Sequence, residues 1–572
     1  MASDSIDGVD GGEAILQALR DLGVDVVVSS PGSEWGPVWE ALSRQRERGA
    51  AGPKYLNCAH ELLAVDVALG YTAMTGRMQA VLLHAGVGLL QGGMGLYGAR
   101  FAELPLLVMS GESTSFGERP GFDPGPQWYH NHNATGALAT YVQPIVKWAH
   151  RVGDAGHLYD SVLRAGEIAC ATPPGPAYLD VPLETMVEPW RRPARARAAP
   201  PPPRLRPVQA DLERAAGALL AADDPLIISG SAGRTADGYD ALVELAETLS
   251  LPVVEAASSD VGSFPTDHPL HQGFDVHERL AGADVVLVVR SRAPWYPPGR
   301  GPERASVVVV DEQPLRLHMA RQDLGAHAYL GGDVPTTLRL LAGELRAAVA
   351  ADPRVAARVS ERRAALAAVA ADARERRRRA AIDARGGQGV HPVALASALA
   401  EILPDASILV DETTVHLRHN RRYWPIRGPQ SYHALRAGLG QGLGFALGAK
   451  LARPDRPVVA LVGDGAFLYN PTLPCLGLSR DANLPILIVV YDNRGYRAMR
   501  DSQLLFHPEG AARRGEALGE PLCAYDYERT AGLFGGAGFR VETPEALASA
   551  LRDALAALAA GRTAIVSVRV TE

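Results

Sequence analysis

Cysteine is scarce in this 572-residue chain. The four present, Cys58, Cys170, Cys475 and Cys523, are widely spread and form no CxxC pair. That argues against a disulfide framework or a zinc site and points to a reducing cytoplasm. Long apolar runs are missing as well: no stretch approaches the roughly eighteen uninterrupted apolar residues of a membrane span. Residues 1–10 carry acidic side chains and no apolar core, so no signal peptide is expected there. Nor is there an excess of positive charge. The formal net charge is −7, which disfavours a nucleic-acid partner. What is present is the composition of a folded protein, 47% hydrophobic and 21% charged, too long for one hydrophobic core.

Two shifts in composition divide the chain. Residues 188–207 are rich in Pro and Arg and include Pro200-Pro201-Pro202-Pro203, an extended connector that joins neither sheet nor helix. Residues 346–388 are rich in Ala and Arg, a helical composition, and contain Arg376-Arg377-Arg378-Arg379. Such a run reads as a solvated helical face, with nucleic-acid binding the lesser alternative. The expected domains are therefore 1–187, 208–345 and 389–572.

Within each domain, apolar runs alternate with helical segments. Residues 24–29 lead into Pro31-Gly32-Ser33, Gln79–Leu83 ends at His84-Ala85-Gly86, and 104–109 ends at Ser110-Gly111. In the middle, 226–228, 253–254, Val285–Val289 and 307–310 follow the same rhythm. Alternation of this kind predicts an α/β chain of three doubly wound parallel-sheet domains, with no short-period repeat.

The most informative stretch lies near the C-terminal end. Val458-Val459-Ala460-Leu461-Val462 reads as a buried strand running into Gly463-Asp464-Gly465-Ala466-Phe467. A second apolar run, 484–490, leads into Asp492-Asn493-Arg494-Gly495-Tyr496 and delivers Asn493 to the same sheet edge. One carboxylate and one carboxamide, with backbone groups, form the oxygen-rich shell of a Mg²⁺ ion that also grips a diphosphate. Taken alone, the stretch could also be an ordinary strand-turn-helix of another α/β protein.

The span from Gly463 to Asn493 resembles the cofactor motif of thiamine diphosphate enzymes. A second stretch, Cys58-Ala59-His60-Glu61-Leu62-Leu63-Ala64-Val65, resembles the segment carrying the activating glutamate of their 2-oxo acid decarboxylase and acetolactate synthase group. The resemblance implies pyrimidine-binding, middle and diphosphate-binding domains, with thiamine diphosphate and Mg²⁺ as cofactors. It implies that Glu61 hydrogen-bonds the aminopyrimidine, and that Asp464, Asn493 and the Gly495 carbonyl hold the metal. Cofactor contacts would further come from Gly463, Gly465, Ala466 and Tyr496 in the motif, and from Thr414 as a diphosphate-binding hydroxyl. Leu439, beside Gly438, matches the apolar residue that props the cofactor in its bent form. Two positions depart from the family pattern: Asp492 replaces an asparagine and Ala466 a common serine. Acetolactate synthases hold a flavin in the middle domain, but Ser229-Gly230-Ser231-Ala232-Gly233 serves equally well as a tight turn, and FAD is not expected.

On the substrate side, His84 and Ser33 resemble an active-site histidine and a substrate-carboxylate serine of benzoylformate decarboxylase. The segment resembling that enzyme's second histidine, Arg292-Ala293-Pro294-Trp295-Tyr296-Pro297, contains no histidine, which counts against benzoylformate itself. Acetolactate synthases generally lack a histidine at the His84 place. His130, His132 and His433 are candidates for the missing proton donor, and loops 115–133 and 500–520 are expected to shape the pocket. The expected activity is decarboxylation of a small 2-oxo acid, followed by protonation or by joining to a second carbonyl. The expected assembly is a homodimer or homotetramer with active sites at the dimer interface, Glu61 of one subunit facing Asp464 of its neighbour. A 2-hydroxyacyl thioester lyase and a non-catalytic regulator on the same fold are the alternatives.

Overall fold

A computed structural model describes residues 9–113, 122–131, 136–194, 197–387 and 389–571. Its strands form three sheets in which every pairing between neighbours is parallel. The first comprises β1 (Val26–Ser29), β2 (Lys54–Asn57), β3 (Gln79–Leu83), β4 (Leu106–Glu112), β5 (Trp148–Arg151) and β6 (Pro176–Pro182), in the order β2-β1-β3-β4-β6-β5. The second holds β7 (Pro225–Ser229), β8 (Val253–Glu255), β9 (Val285–Val289), β10 (Ser306–Asp311) and β11 (Ala328–Gly331), ordered β11-β10-β9-β7-β8. The third holds β12 (Ile408–Glu412), β13 (Tyr432–Ala434), β14 (Val458–Gly463), β15 (Leu487–Asp492), β16 (Ala537–Val541) and β17 (Ala564–Arg569), ordered β13-β12-β14-β15-β17-β16. In each, the order reverses near its centre, as in doubly wound folds.

Why apolar runs become these strands is clearest in the second sheet. Ile227, Leu287 and Val308 enter one buried cluster, while Leu226, Ile228, Val286 and Val307 enter another. Alternate side chains point to opposite faces of a strand, so both faces are covered and an uninterrupted Val/Ile/Leu run is required. Prolines trim two strands relative to the sequence pattern. β4 starts after Pro105 rather than at Leu104, and β15 starts after Pro485, because proline offers no ladder N–H.

The described residues fall into two compact units. The first holds the chain up to Pro202 with Arg436–Asp455 and Leu468–Pro485; the second holds Pro203–Leu435, Arg456–Phe467 and Ile486 onward. In the first unit, the helix Gly442–Ala452 lies against the helix Glu61–Thr75. In the second, the Ala/Arg stretch is the long helix Pro353–Asp383, started by Asp352 accepting from the Arg354 N–H and by proline in its first turn. Among the described residues, no helix is long and apolar enough to cross a membrane.

Candidate active site

In the first unit, β2, β1 and β3 are neighbours, and the chain leaving each carries a candidate residue at the C-terminal edge. Glu61 is the first residue of the helix after β2, with His60 as its cap: His60 Nδ1 accepts from the Leu62 N–H at 3.2 Å. Ser33 and Glu34 lie in a short turn after β1, and His84 follows β3 directly. Glu34 is fully buried, and its carboxylate takes His84 Nδ1 at 2.8 Å and the Ala85 N–H at 2.7 Å. An ionised carboxylate only accepts, so the proton sits on Nδ1 and Nε2 faces outward. There, Nε2 meets Gln127 Nε2 at 3.3 Å, while Gln127 Oε1 accepts from the Ser33 hydroxyl at 3.1 Å. Ser33, Gln127, His84 and Glu34 thus form one chain of contacts. The hydrogen bond to Glu34 holds the His84 pKa above the usual histidine range, against the opposing effect of partial burial; the charges of Glu34 and Glu61 add to the rise.

Glycines make this packing possible. A Cβ on Gly32 would stand 2.4 Å from Glu34 Oε2, and one on Gly111 2.3 Å from Glu34 Cγ, so the Glu34 side chain occupies a slot that only glycines leave open. A Cβ on Gly88 would lie 2.9 Å from His84 Cβ and 3.5 Å from Glu61 Oε1, which makes His84 and Glu61 near neighbours. The tilted Trp128 ring, centred 6.4 Å from the imidazole, adds an apolar wall. Also in this unit, Leu439 is 47% exposed. It projects from between Gly438, which abuts Gln441, and Gly440, which has φ +76° and runs against the Tyr469 carbonyl.

In the second unit, β12, β14 and β15 are adjacent, and Thr414, Asp464 and Asn493 follow their C-terminal ends. Asp464 is 3% exposed. Its Oδ1 accepts from the Gly465 N–H at 2.8 Å and its Oδ2 from the Gly495 N–H at 3.1 Å; Asn493 Oδ1 accepts from that same Gly495 N–H at 3.0 Å. The two predicted ligand oxygens therefore lie side by side, sharing the Gly495 N–H. Burial pushes the Asp464 pKa up to about 6, with the neighbouring backbone N–H groups opposing it. A buried carboxylate with a carboxamide oxygen beside it is a donor set that fits a hard divalent cation. Gly465 is required by contact rather than by φ: a Cβ there would stand 2.5 Å from the Tyr496 ring. Gly463 meets no such constraint. Thr414 is exposed and left-handed, with φ +52°, a costly conformation for a β-branched residue and one that collects at functional sites. Behind it, buried Asp411 is held by Thr413, Asn420 and Tyr432.

The remaining histidines separate clearly. His433 sits buried in β13, and burial pushes its pKa down to about 4. His130 lies on the short helix Pro126–Asn131 and meets the edge of Tyr129. His132, with residues 115–121 and 133 of loop 115–133, lies outside the described residues. Of loop 500–520, the first part continues the helix Arg497–Phe506, and Gly495 pairs with Pro521 beyond its end. In the middle domain, Gly230 and Gly233 abut the carbonyls of Arg290 and Gly262, so the protein's own backbone accounts for those glycines. Sequence reasoning missed Glu34 and Gln127. Glu34 stood in plain view beside Ser33, but its partner is far along the chain, and nothing local marks Gln127.

Models of the thiamine pyrophosphate enzymes match in chain order: the N-terminal TPP binding domain over 9–132, the central domain over 212–341 and the C-terminal TPP binding domain over 414–568. The chain belongs to this enzyme family, in its group of decarboxylases and acetolactate synthase-like enzymes. Among its relatives, benzoylformate decarboxylase of Pseudomonas aeruginosa is 27% identical over 95% of this chain and 96% of its own. A probable 2-ketoarginine decarboxylase of the same species is 28% identical over 86% of this chain and 84% of its own. An acetolactate synthase large subunit of Escherichia coli is 24% identical over 98% and 94%. In fold, a thiamine diphosphate-dependent 4-hydroxybenzoylformate decarboxylase of Rhodococcus jostii superposes with a TM-score of 0.76, at 24% identity, over 98% of this chain and 99% of that one.

Proposed function

We propose that the protein is a Mg²⁺- and thiamine diphosphate-dependent enzyme that decarboxylates a small 2-oxo acid. The fragment left after CO₂ loss is then protonated or joined to a second carbonyl compound. The observation that carries this reading is the contact chain Ser33–Gln127–His84–Glu34, set beside Glu61. Thiamine diphosphate, when bound, supplies the electron sink that makes loss of CO₂ from a 2-oxo acid feasible. The chain's own residues do the rest. Glu61 would hold the aminopyrimidine. Asp464, Asn493 and the Gly495 carbonyl would hold Mg²⁺, while the Thr414 hydroxyl and the N–H groups after Gly465 take diphosphate oxygens. Leu439, left exposed by the protein, would support the cofactor's bend. Ser33 and Gln127 would orient the substrate carboxylate. His84, kept protonated on Nδ1 by Glu34, would give and take a proton at Nε2, and its raised pKa supports the branch that ends in protonation.

The assembly we infer is a homodimer or homotetramer, in which Glu61 of one subunit serves the cofactor of its neighbour. A cytoplasmic location accords with four cysteines that are all free thiols.

The test is CO₂ release from aliphatic, aromatic and phosphonate 2-oxo acids, with and without an aldehyde acceptor, by protein supplied with both cofactors. Glu61→Ala should lower turnover roughly 10²-fold or more, the scale of general acid–base contributions. Asp464→Ala should abolish the rise in melting temperature that Mg²⁺ and thiamine diphosphate give the wild type. No CO₂ from any acid, or near-normal turnover by the Glu61 variant, would overturn the assignment.

A further inference from the structure

The Arg376–Arg379 run belongs to the second unit and takes no part in the chemistry above. Three of its four arginines are paired on their own helix: Arg376 with Asp372, and Arg378 and Arg379 sharing Glu375. Arg377 turns the other way. With Arg374, Arg378 and Ile382 it forms one face of the helix Pro353–Asp383, and that face lines a cleft of about 400 Å³. Arg422, Tyr423 and Arg385 line it as well.

Five arginines thus face two carboxylates, those of Asp267 and Glu401. Glu401 is taken by Arg385, and the Asp267 carboxylate by Arg427. Arg374 donates only to the Asp267 backbone carbonyl at 2.9 Å, and Arg377 only to the Arg422 backbone carbonyl at 3.1 Å. Neither they nor exposed Arg422 forms an ion pair among the described residues. Burial, followed by the nearby Arg422 charge, holds the Arg377 pKa below its ordinary range. Guanidiniums that stay charged when crowded together and half-buried call for an anion between them.

We propose that this cleft is a second ligand site, for a small molecule bearing two or more phosphate groups. The volume fits a small ligand rather than a polymer groove. Tyr423, Ile382 and Pro425 supply the apolar contact a bare ion would not need. The cofactor's diphosphate is assigned elsewhere, to the edge beyond β12, β14 and β15, so the two sites are separable.

The experiment uses holoenzyme saturated with thiamine diphosphate at fixed free Mg²⁺, titrated calorimetrically with fructose 1,6-bisphosphate, inorganic phosphate and a dT12 oligonucleotide. Saturable binding of the bisphosphate, stronger than that of phosphate, is expected. Arg422→Gln should weaken it about tenfold, the scale of one charge-assisted hydrogen bond, without changing basal turnover. The combined Arg374→Gln, Arg377→Gln, Arg422→Gln variant should abolish it. If that variant fails to fold, the Arg422 change alone decides the matter, since its side chain is exposed. No saturable uptake by the wild type, unaltered binding by Arg422→Gln, or tighter binding of the oligonucleotide would overturn the proposal.

Discussion

A histidine that is to exchange protons with substrate, as proposed for His84, must be both aimed and suitably charged, and Glu34 is placed to do both. The carboxylate lies fully buried between Gly32 and Gly111, so it can neither swing away nor be replaced by water. Glu34→Gln keeps the shape and removes the charge. The His84 ring should then titrate at lower pH, as followed by NMR of its ring protons; an unchanged midpoint would sink the assignment. Stability carries the same signature. Because the folded-state pKa of His84 lies above its unfolded value, the stabilisation is complete below about pH 6.5 and fades as pH rises through the folded value. Denaturant titrations of the Glu34→Gln variant should show that slope flattened. Ser33 and His84 were legible as candidates through the family resemblance, and His84 also because it ends a strand pattern beside glycines. Glu34 and Gln127 were not, since hydrogen bonds across distant sequence leave no local trace.

Among the elements, the helices Glu61–Thr75 and Gly442–Ala452 make a close packed pair. Their contact is backbone on backbone: a Cβ on Gly70 would stand 2.0 Å from the Phe445 carbonyl oxygen, and one on Gly448 2.0 Å from that of Val67. A short polar contact locks the register, with Gln441 Nε2 donating to Asp66 Oδ1 at 2.8 Å. Gly448→Val must push the two backbones apart and should cost about 1–3 kcal/mol or more, measurable as a lowered denaturant midpoint. Loss of less than about 0.5 kcal/mol would show that the contact is loose. The alternation of strand and helix was readable from the sequence. The glycine-mediated seam between these two helices was not, because a glycine in a sequence does not say which backbone approaches it.

At the scale of the whole molecule, the second unit contains a buried ion pair that ties its two sheets together. Arg421, on the helix after β12, reaches Glu255 at the end of β8 with 2.9 Å between Nη2 and Oε2, donates to the Ala256 carbonyl at 2.8 Å, and covers the Phe274 ring. Both partners are at most 4% exposed in their side chains. Arg421→Met strands the Glu255 charge in the interior and should destabilise by about 3–5 kcal/mol in urea unfolding. Adding Glu255→Met should recover much of that loss, since the cost lies in the orphaned charge rather than in the missing pair. Equal destabilisation by the single and double variants would contradict this account.

The sequence alone determined three repeats of alternating apolar strand and helix, and with them three parallel sheets. It also determined that Asp464 and Asn493 would follow neighbouring strands of one sheet, because strand periodicity and turn chemistry are local properties of the chain. Only the tertiary structure decided which carboxylate serves His84, which of the clustered arginines keep an unpaired charge, and which glycines exist to admit another backbone. Those outcomes depend on distances between residues far apart along the chain, and such distances are set by packing rather than by any neighbour in the sequence.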